Sequence, residues 1–177
     1  MVDYSSIAEF VLRISLALLP IYVSNACAML LGGKTPIDFG KRFFDGRPWL
    51  GAGKTFKGAV FGIAAGILVA AAINGLLAKQ TMLYFSNHYV LISSILVVLA
   101  ILGDMIGSFI KRRLNIERGK PVFLLDQLDF VIVPMLFLWS QNFISLTEII
   151  MVLLITLIVH RAANFIAFKF KLKKVPW

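Results

Sequence analysis

The chain has 177 residues, 59% of them hydrophobic and only 15% charged, with a formal net charge of +9. Soluble domains run at roughly 45–50% apolar and 25% charged, so this composition excludes a water-soluble globule, and the hydrophobicity excludes disorder. The apolar surface must be buried in lipid, and the chain reads as an all-α integral membrane protein.

A span needs about 20 apolar residues, which allows about five transmembrane helices in a single domain, covering residues 1–177. The uncharged stretches are Ile14–Leu31, Gly58–Ala78, Gln80–Gly103 and Phe130–Thr147, and a fifth, Ile149–Phe168, is broken only by His160 and Arg161. The N-terminal flank of the first stretch carries the acids Asp3 and Glu9, so the stretch is expected to remain as a helix and not to be cleaved as a signal peptide. Fifteen of the eighteen Lys and Arg residues fall within Lys34–Lys57, Lys111–Lys120 and Lys169–Lys174. Cationic loops stay inside, which predicts an N-terminus outside and a C-terminus in the cytoplasm of a multi-pass cell-membrane protein. Charge gathered beside span ends answers to topology and to anionic head groups or phosphates, so no nucleic-acid partner is expected.

In the first span, Asn25 lies near the cytoplasmic end, where a buried amide serves a phosphate, a base or a neighbouring helix. Pro20, like Pro134 in the fourth span, frees a backbone carbonyl and bends its helix. The single cysteine, Cys27, excludes an intrachain disulfide and a thiolate metal cage. The loop Gly32–Lys57 is longer and more cationic than a connection needs, and it is a candidate nucleotide lid bearing Lys41, Arg42, Asp45, Lys54 and Lys57. Its Gly51–Thr55 stretch suggests a P-loop, but Pro48 stands where that motif requires glycine and no strand precedes it. The second span carries Gly58, Gly62, Gly66 and Ala70, a small-residue stripe for close helix approach, either inside the bundle or in a homodimer.

The acids are the chemically informative residues. A carboxylate within a membrane is costly, about 2.5–3.5 kcal/mol at a helix centre, and calls for a partner. Asp104 ends the third span, with Ser108 and Lys111 on the same helical face, so a simple Asp104–Lys111 ion pair is one reading. Asp126 and Asp129 precede the fourth span. Alone they would complement a helix N-terminus; with Asp104 brought alongside by antiparallel pairing they would form an oxygen site for Mg²⁺. Between these acids lie Lys111, Arg112, Arg113, Arg118 and Lys120, the cations a triphosphate requires. Arg161, in the last span, either snorkels or grips a lipid phosphate.

The run from Gly103 to Phe130, with Ser108-x-x-Lys111-Arg112 and Asp126-x-x-Asp129, resembles the signature of the membrane CTP:phosphatidate cytidylyltransferase superfamily, and Lys54-Thr55-Phe56-Lys57-Gly58 resembles its Lys-Thr-aromatic-x-Gly element. Bacterial and eukaryotic members carry a His-Gly-Gly segment where this chain has Pro121–Leu125, and they are longer. The chain is more similar to the small archaeal branch, the CDP-archaeol synthases. That resemblance implies Mg²⁺-dependent transfer of CMP from CTP to an unsaturated ether-lipid phosphate, 2,3-bis-O-geranylgeranyl-glycerol 1-phosphate, with release of pyrophosphate. It implies metal at Asp104, Asp126 and Asp129, and catalysis by Lys111, Arg112 and the latter two aspartates. It further implies CTP contacts from Asn25, Lys41, Arg42, Asp45, Lys54, Lys57, Lys111 and Arg112, and lipid-phosphate contacts from Ser108, Lys120 and Arg161.

Two rival readings share some of these features. A CDP-alcohol phosphotransferase would open on Asp45-Gly46, but Trp49 and Leu50 break that motif. A small transporter of anions or phosphorylated metabolites would share the cationic loops and kinked helices, yet it should show repeated halves and midplane acids, and here the acids crowd one surface.

Overall fold

The computed structural model describes residues 4–77 and 88–172. These form five helices, α1 (Tyr4–Leu30), α2 (Phe56–Leu77), α3 (Tyr89–Arg113), α4 (Leu125–Ser140) and α5 (Leu146–Lys169). The only strand-like pairings among the described residues are two isolated bridges in the first loop, Pro36 with Thr55 and Arg42 with Pro48. The expected start of the third span at Gln80 lies outside the described residues.

Four helices, from Phe10–Leu30, Phe56–Leu77, Tyr89–Arg113 and Leu146–Lys169, are long and apolar enough to cross a bilayer. The fourth differs from expectation. At 16 residues α4 is about 24 Å long. It begins at Leu125, five residues before the apolar run, and ends at Ser140, because Asn142 takes a left-handed φ of 57° and Ser145 caps α5. The Ser145 hydroxyl accepts from Glu148 N while the Glu148 carboxylate accepts from Ser145 N. α3 runs ten residues past the end of the uncharged stretch at Gly103 and carries Asp104, Ser108 and Lys111 on helix, as their spacing predicted.

The small-residue stripe explains how α1 and α2 meet. A Cβ at Gly58 would lie 2.6 Å from Ala28 O, at Gly62 2.8 Å from Ser24 O, and at Gly66 2.9 Å from Pro20 O. Glycines four apart on α2 therefore ride antiparallel over carbonyls four apart on α1, a proximity that favours Cα–H···O contact. The expectation of a homodimer through this face is corrected: Gly58, Gly62 and Gly66 are buried within the chain against α1 and, at Gly62 and Gly66, α3 side chains Ile101 and Val97.

Pro20 shows why the polar residues of the apolar core are there. Lacking an N–H, it leaves the carbonyl of Leu16 without its helical donor, and Tyr89 OH on α3 donates to that oxygen at 2.7 Å. Tyr22 OH and Thr156 Oγ1 lie 2.8 Å apart and join α1 to α5. Around these bonds Ile21, Leu96, Phe130, Val131, Met135 and Val152 are buried, whereas Leu68, Leu76 and Ile158 are more than two-thirds exposed on the outer faces, where lipid belongs.

Candidate active site

The C-terminal end of α3, the N-terminal end of α4 and the first loop meet at one end of the bundle, and there they enclose a cavity of about 920 Å³. Seven of the residues to which the resemblance assigns a role line it: Asn25, Lys54, Asp104, Lys111, Lys120, Asp126 and Arg161. Arg118, His160 and Asn164 line it as well.

Lys54 sits in this wall because Thr55 caps α2. The Thr55 hydroxyl accepts from Gly58 N at 3.1 Å and from Gly33 N at 2.9 Å, fixing both ends of the loop at one point. Lys54 Nζ then donates to both oxygens of Asp104, at 2.5 Å from Oδ1. Asp104 is therefore not paired with Lys111, as the helical spacing allowed. Lys111 instead reaches α4, donating to Asp126 Oδ1 at 2.7 Å, while Asp126 Oδ2 accepts from Val122 N at 3.0 Å. Each half-buried charge meets an opposite one, which offsets much of its desolvation cost.

Asp129 lies behind this wall, 7% exposed, and Oδ1 accepts from Phe130 N at 2.8 Å. Glycines on α3 make room for it: a Cβ at Gly107 would stand 2.3 Å from Asp129 Oδ2, and one at Gly103 2.3 Å from Asp129 O. Antiparallel packing of α3 and α4 puts Asp129 within electrostatic range of Asp104, Lys54 and Lys111, whereas Asp126 is engaged by Lys111 and by Val122 N. Ser108, one turn along α3 from Asp104, is buried.

Among the described residues, no three His, Cys, Asp or Glu side chains form a group arranged to hold a metal ion. The three aspartates are divided, two given to lysines and one to a backbone N–H. As chemistry the donor set nonetheless fits a hard cation: all the side-chain oxygens are carboxylate, and the glycine cradle keeps Asp129 clear of any neighbouring Cβ. Ammonium groups face the carboxylates of Asp104 and Asp126, where a cation would be attracted.

Four of the first-loop candidates are placed elsewhere. Lys41 and Arg42 are exposed on the loop, Arg42 donating to Gly46 O. Asp45 pairs with Arg113 at 2.7 Å, and Lys57 points over the Phe61 ring. None of them lines the cavity. Arg112, expected to serve catalysis and CTP, does not line the cavity either; it lies under the loop, with its Cδ 3.7 Å from where a Gly51 Cβ would be.

A second, apolar groove of about 490 Å³ runs between α4 and α5, and Phe123, Gln127, Arg161 and Phe165 line both it and the polar cavity. Arg161, read from the sequence as snorkelling or gripping a lipid phosphate, lines both, together with Phe123, Gln127 and Phe165, which the sequence did not single out for a role.

The family model described as CarS-like: CDP-archaeol synthase matches residues 7–177. The CDP-archaeol synthase of Methanocaldococcus jannaschii is 47% identical over 166 residues, which cover 90% of this chain and 93% of that protein. That of Methanospirillum hungatei is 42% identical, covering 90% of this chain and all of the relative (100%). A solved structure of an intramembrane enzyme for archaeal membrane lipids biosynthesis superposes with a TM-score of 0.77 at 36% identity, over 86% of this chain and 93% of the other.

Proposed function

This chain belongs to the CDP-archaeol synthase family, and on that premise we propose how its cavity performs the reaction. The protein is a multi-pass membrane cytidylyltransferase that makes CDP-archaeol from CTP and a lipid phosphate. The finer assignment is a 2,3-bis-O-geranylgeranyl-glycerol 1-phosphate acceptor, a cytoplasmic active site and dependence on Mg²⁺.

One observation carries the reading: a polar cavity lined by Lys54, Lys111, Arg118 and Lys120 shares Arg161 with an apolar groove on the bundle's flank. Such a junction suits two substrates of opposite solubility. CTP enters the polar side beneath the first loop, its triphosphate drawn by the lysines and Arg118. The lipid keeps its chains in the groove between α4 and α5, and Arg161 receives its phosphate. A phosphate oxygen of the lipid attacks the α-phosphorus of CTP in line, the new P–O bond forms as the α–β bridging P–O bond breaks, and pyrophosphate departs with the electron pair. Lys54 and Lys111 offset the charge on the departing oxygens, and Asn25 is placed to orient the nucleotide. Asp104, Asp126 and Asp129 would hold Mg²⁺, which supplies Lewis-acid neutralisation of the triphosphate when bound. Holding the ion requires Lys54 and Lys111 to pass from carboxylate to phosphate, an exchange of like-charged partners. No covalent enzyme intermediate is needed.

The test is a transfer assay. Detergent-purified protein is incubated with labelled CTP and either the geranylgeranyl ether phosphate or a diacyl phosphate, with Mg²⁺ or with EDTA. Labelled lipid and pyrophosphate are expected only with the ether lipid and Mg²⁺. Equal use of the diacyl acceptor, or undiminished transfer in EDTA, removes the corresponding assignment.

A further inference from the structure

We infer that Arg113, outside the cavity, is a positioning residue that locks the first loop over the nucleotide site, an inference that rests on the cavity being where CTP binds. The loop is a self-bonded unit. Asp38 accepts from Gly40 N at 2.9 Å, Leu50 N at 2.9 Å and Gly51 N at 2.8 Å, and Arg42 and Pro48 pair across its tip. A unit of this kind moves as one body, so what fixes its tip to the bundle also fixes the lysine at its base.

That attachment is concentrated on one side chain. Arg113 NH1 donates to Asp45 Oδ1 at 2.7 Å, and NH2 donates to Pro48 O. Its guanidinium carbon stands 4.7 Å from the centroid of Phe43 on the loop and 4.8 Å from that of Phe109 on α3. Phe43 meets Phe109 edge-on at 5.4 Å, and Trp49 packs against both rings. In return Arg47 of the loop donates to the carbonyl of Arg113. One planar cation thus satisfies a carboxylate, a loop carbonyl and two ring faces together, which a lysine ammonium cannot do. Among the described residues, the other ion pair between loop and α3 is Lys54 with Asp104. Once Lys54 turns from Asp104 to a triphosphate, the Arg113 cluster is what keeps the loop in register.

The experiment compares full-length wild type with Arg113→Ala, Arg113→Lys and Asp45→Asn, measuring kcat, the KM for CTP and the KM for the lipid phosphate separately. Loss of two cation–π contacts and an ion pair is expected to raise the CTP KM about tenfold in Arg113→Ala. Arg113→Lys should raise it less and Asp45→Asn least, because the carbonyl and ring contacts of Arg113 survive the latter. The lipid KM should stay within about twofold of wild type, as nothing in the α4–α5 groove is altered. Asp45→Asn sits on an exposed loop and keeps the test meaningful if the alanine variant misfolds. An unchanged CTP KM in Arg113→Lys and Asp45→Asn, or equal rises in both KM values, overturns the inference. Lys54→Ala is the control for the underlying reading: if it too leaves the CTP KM unchanged, the cavity assignment fails; if Lys54→Ala alone raises it, only the role of Arg113 fails.

Discussion

Asp129 is the side chain on which the proposed metal chemistry turns, and its surroundings are more demanding than its position in an Asp-x-x-Asp pair reveals. It is almost fully buried, yet its Oδ2 is accommodated only because position 107 has no Cβ. Asp129→Asn preserves the shape and removes the charge, so CMP transfer should fall by at least about a hundredfold while the protein still elutes as a folded species. Near-normal turnover would take Asp129 out of the site. Gly107→Ala tests the cradle independently. The new methyl would lie 2.3 Å from the carboxylate oxygen, so overpacking of about 1–3 kcal/mol is expected, with loss of transfer from displacement of Asp129. A thermal-shift measurement beside the transfer assay separates the two effects, and an Ala variant as stable and active as wild type contradicts the packing described.

At the scale of elements, the first loop is held by a carboxylate. Burial alone would raise the pKa of Asp38, but its bonds from Leu50 N, Gly51 N and Gly40 N outweigh that and hold it below the ordinary value. The folded loop therefore binds the proton less well than the unfolded chain. The stabilisation is complete above the ordinary value of about 3.9 and is lost as pH falls through the lower folded value. Trp49, whose backbone N–H donates to Lys41 O within this loop, reports on it. With Trp139 and Trp177 replaced by Phe, its fluorescence in nanodiscs should be flat from neutral pH to about 5 and change on further acidification. In Asp38→Asn the altered signal should already be present at neutral pH. A variant indistinguishable from wild type throughout would show that the three backbone bonds do not hold the loop.

For the whole molecule, the consequence is sidedness. The first loop and the C-terminal end of α3 gather cations at one end, whereas the α4–α5 turn around Asn142 has none. On the orientation proposed from the positive-inside bias, the first loop is cytoplasmic and that turn lies outside. With Cys27 replaced by Ala, Lys41→Cys should react with a membrane-impermeant maleimide only in inside-out vesicles, and Asn142→Cys only in right-side-out ones. The reverse pattern would invert the topology and put the cavity on the wrong face for cytoplasmic CTP.

The sequence by itself determined the membrane class, the helical architecture and the residue types of the site, because lipid demands long apolar runs and a triphosphate demands cations near acids. Asp104, Asp126, Lys111 and Lys54 were all legible in this way. It could not decide who pairs with whom. Helical spacing offered Lys111 to Asp104, but the Thr55 cap delivers Lys54 there first and leaves Lys111 for α4. Nor could it say that the glycine stripe of α2 is spent on α1 carbonyls, or that Asp45 belongs to Arg113 sixty-eight positions away. Local pattern records what each residue needs; only the packing of helices distant in the chain decides which neighbour meets that need, because pairing energy depends on separation in space and not along the backbone.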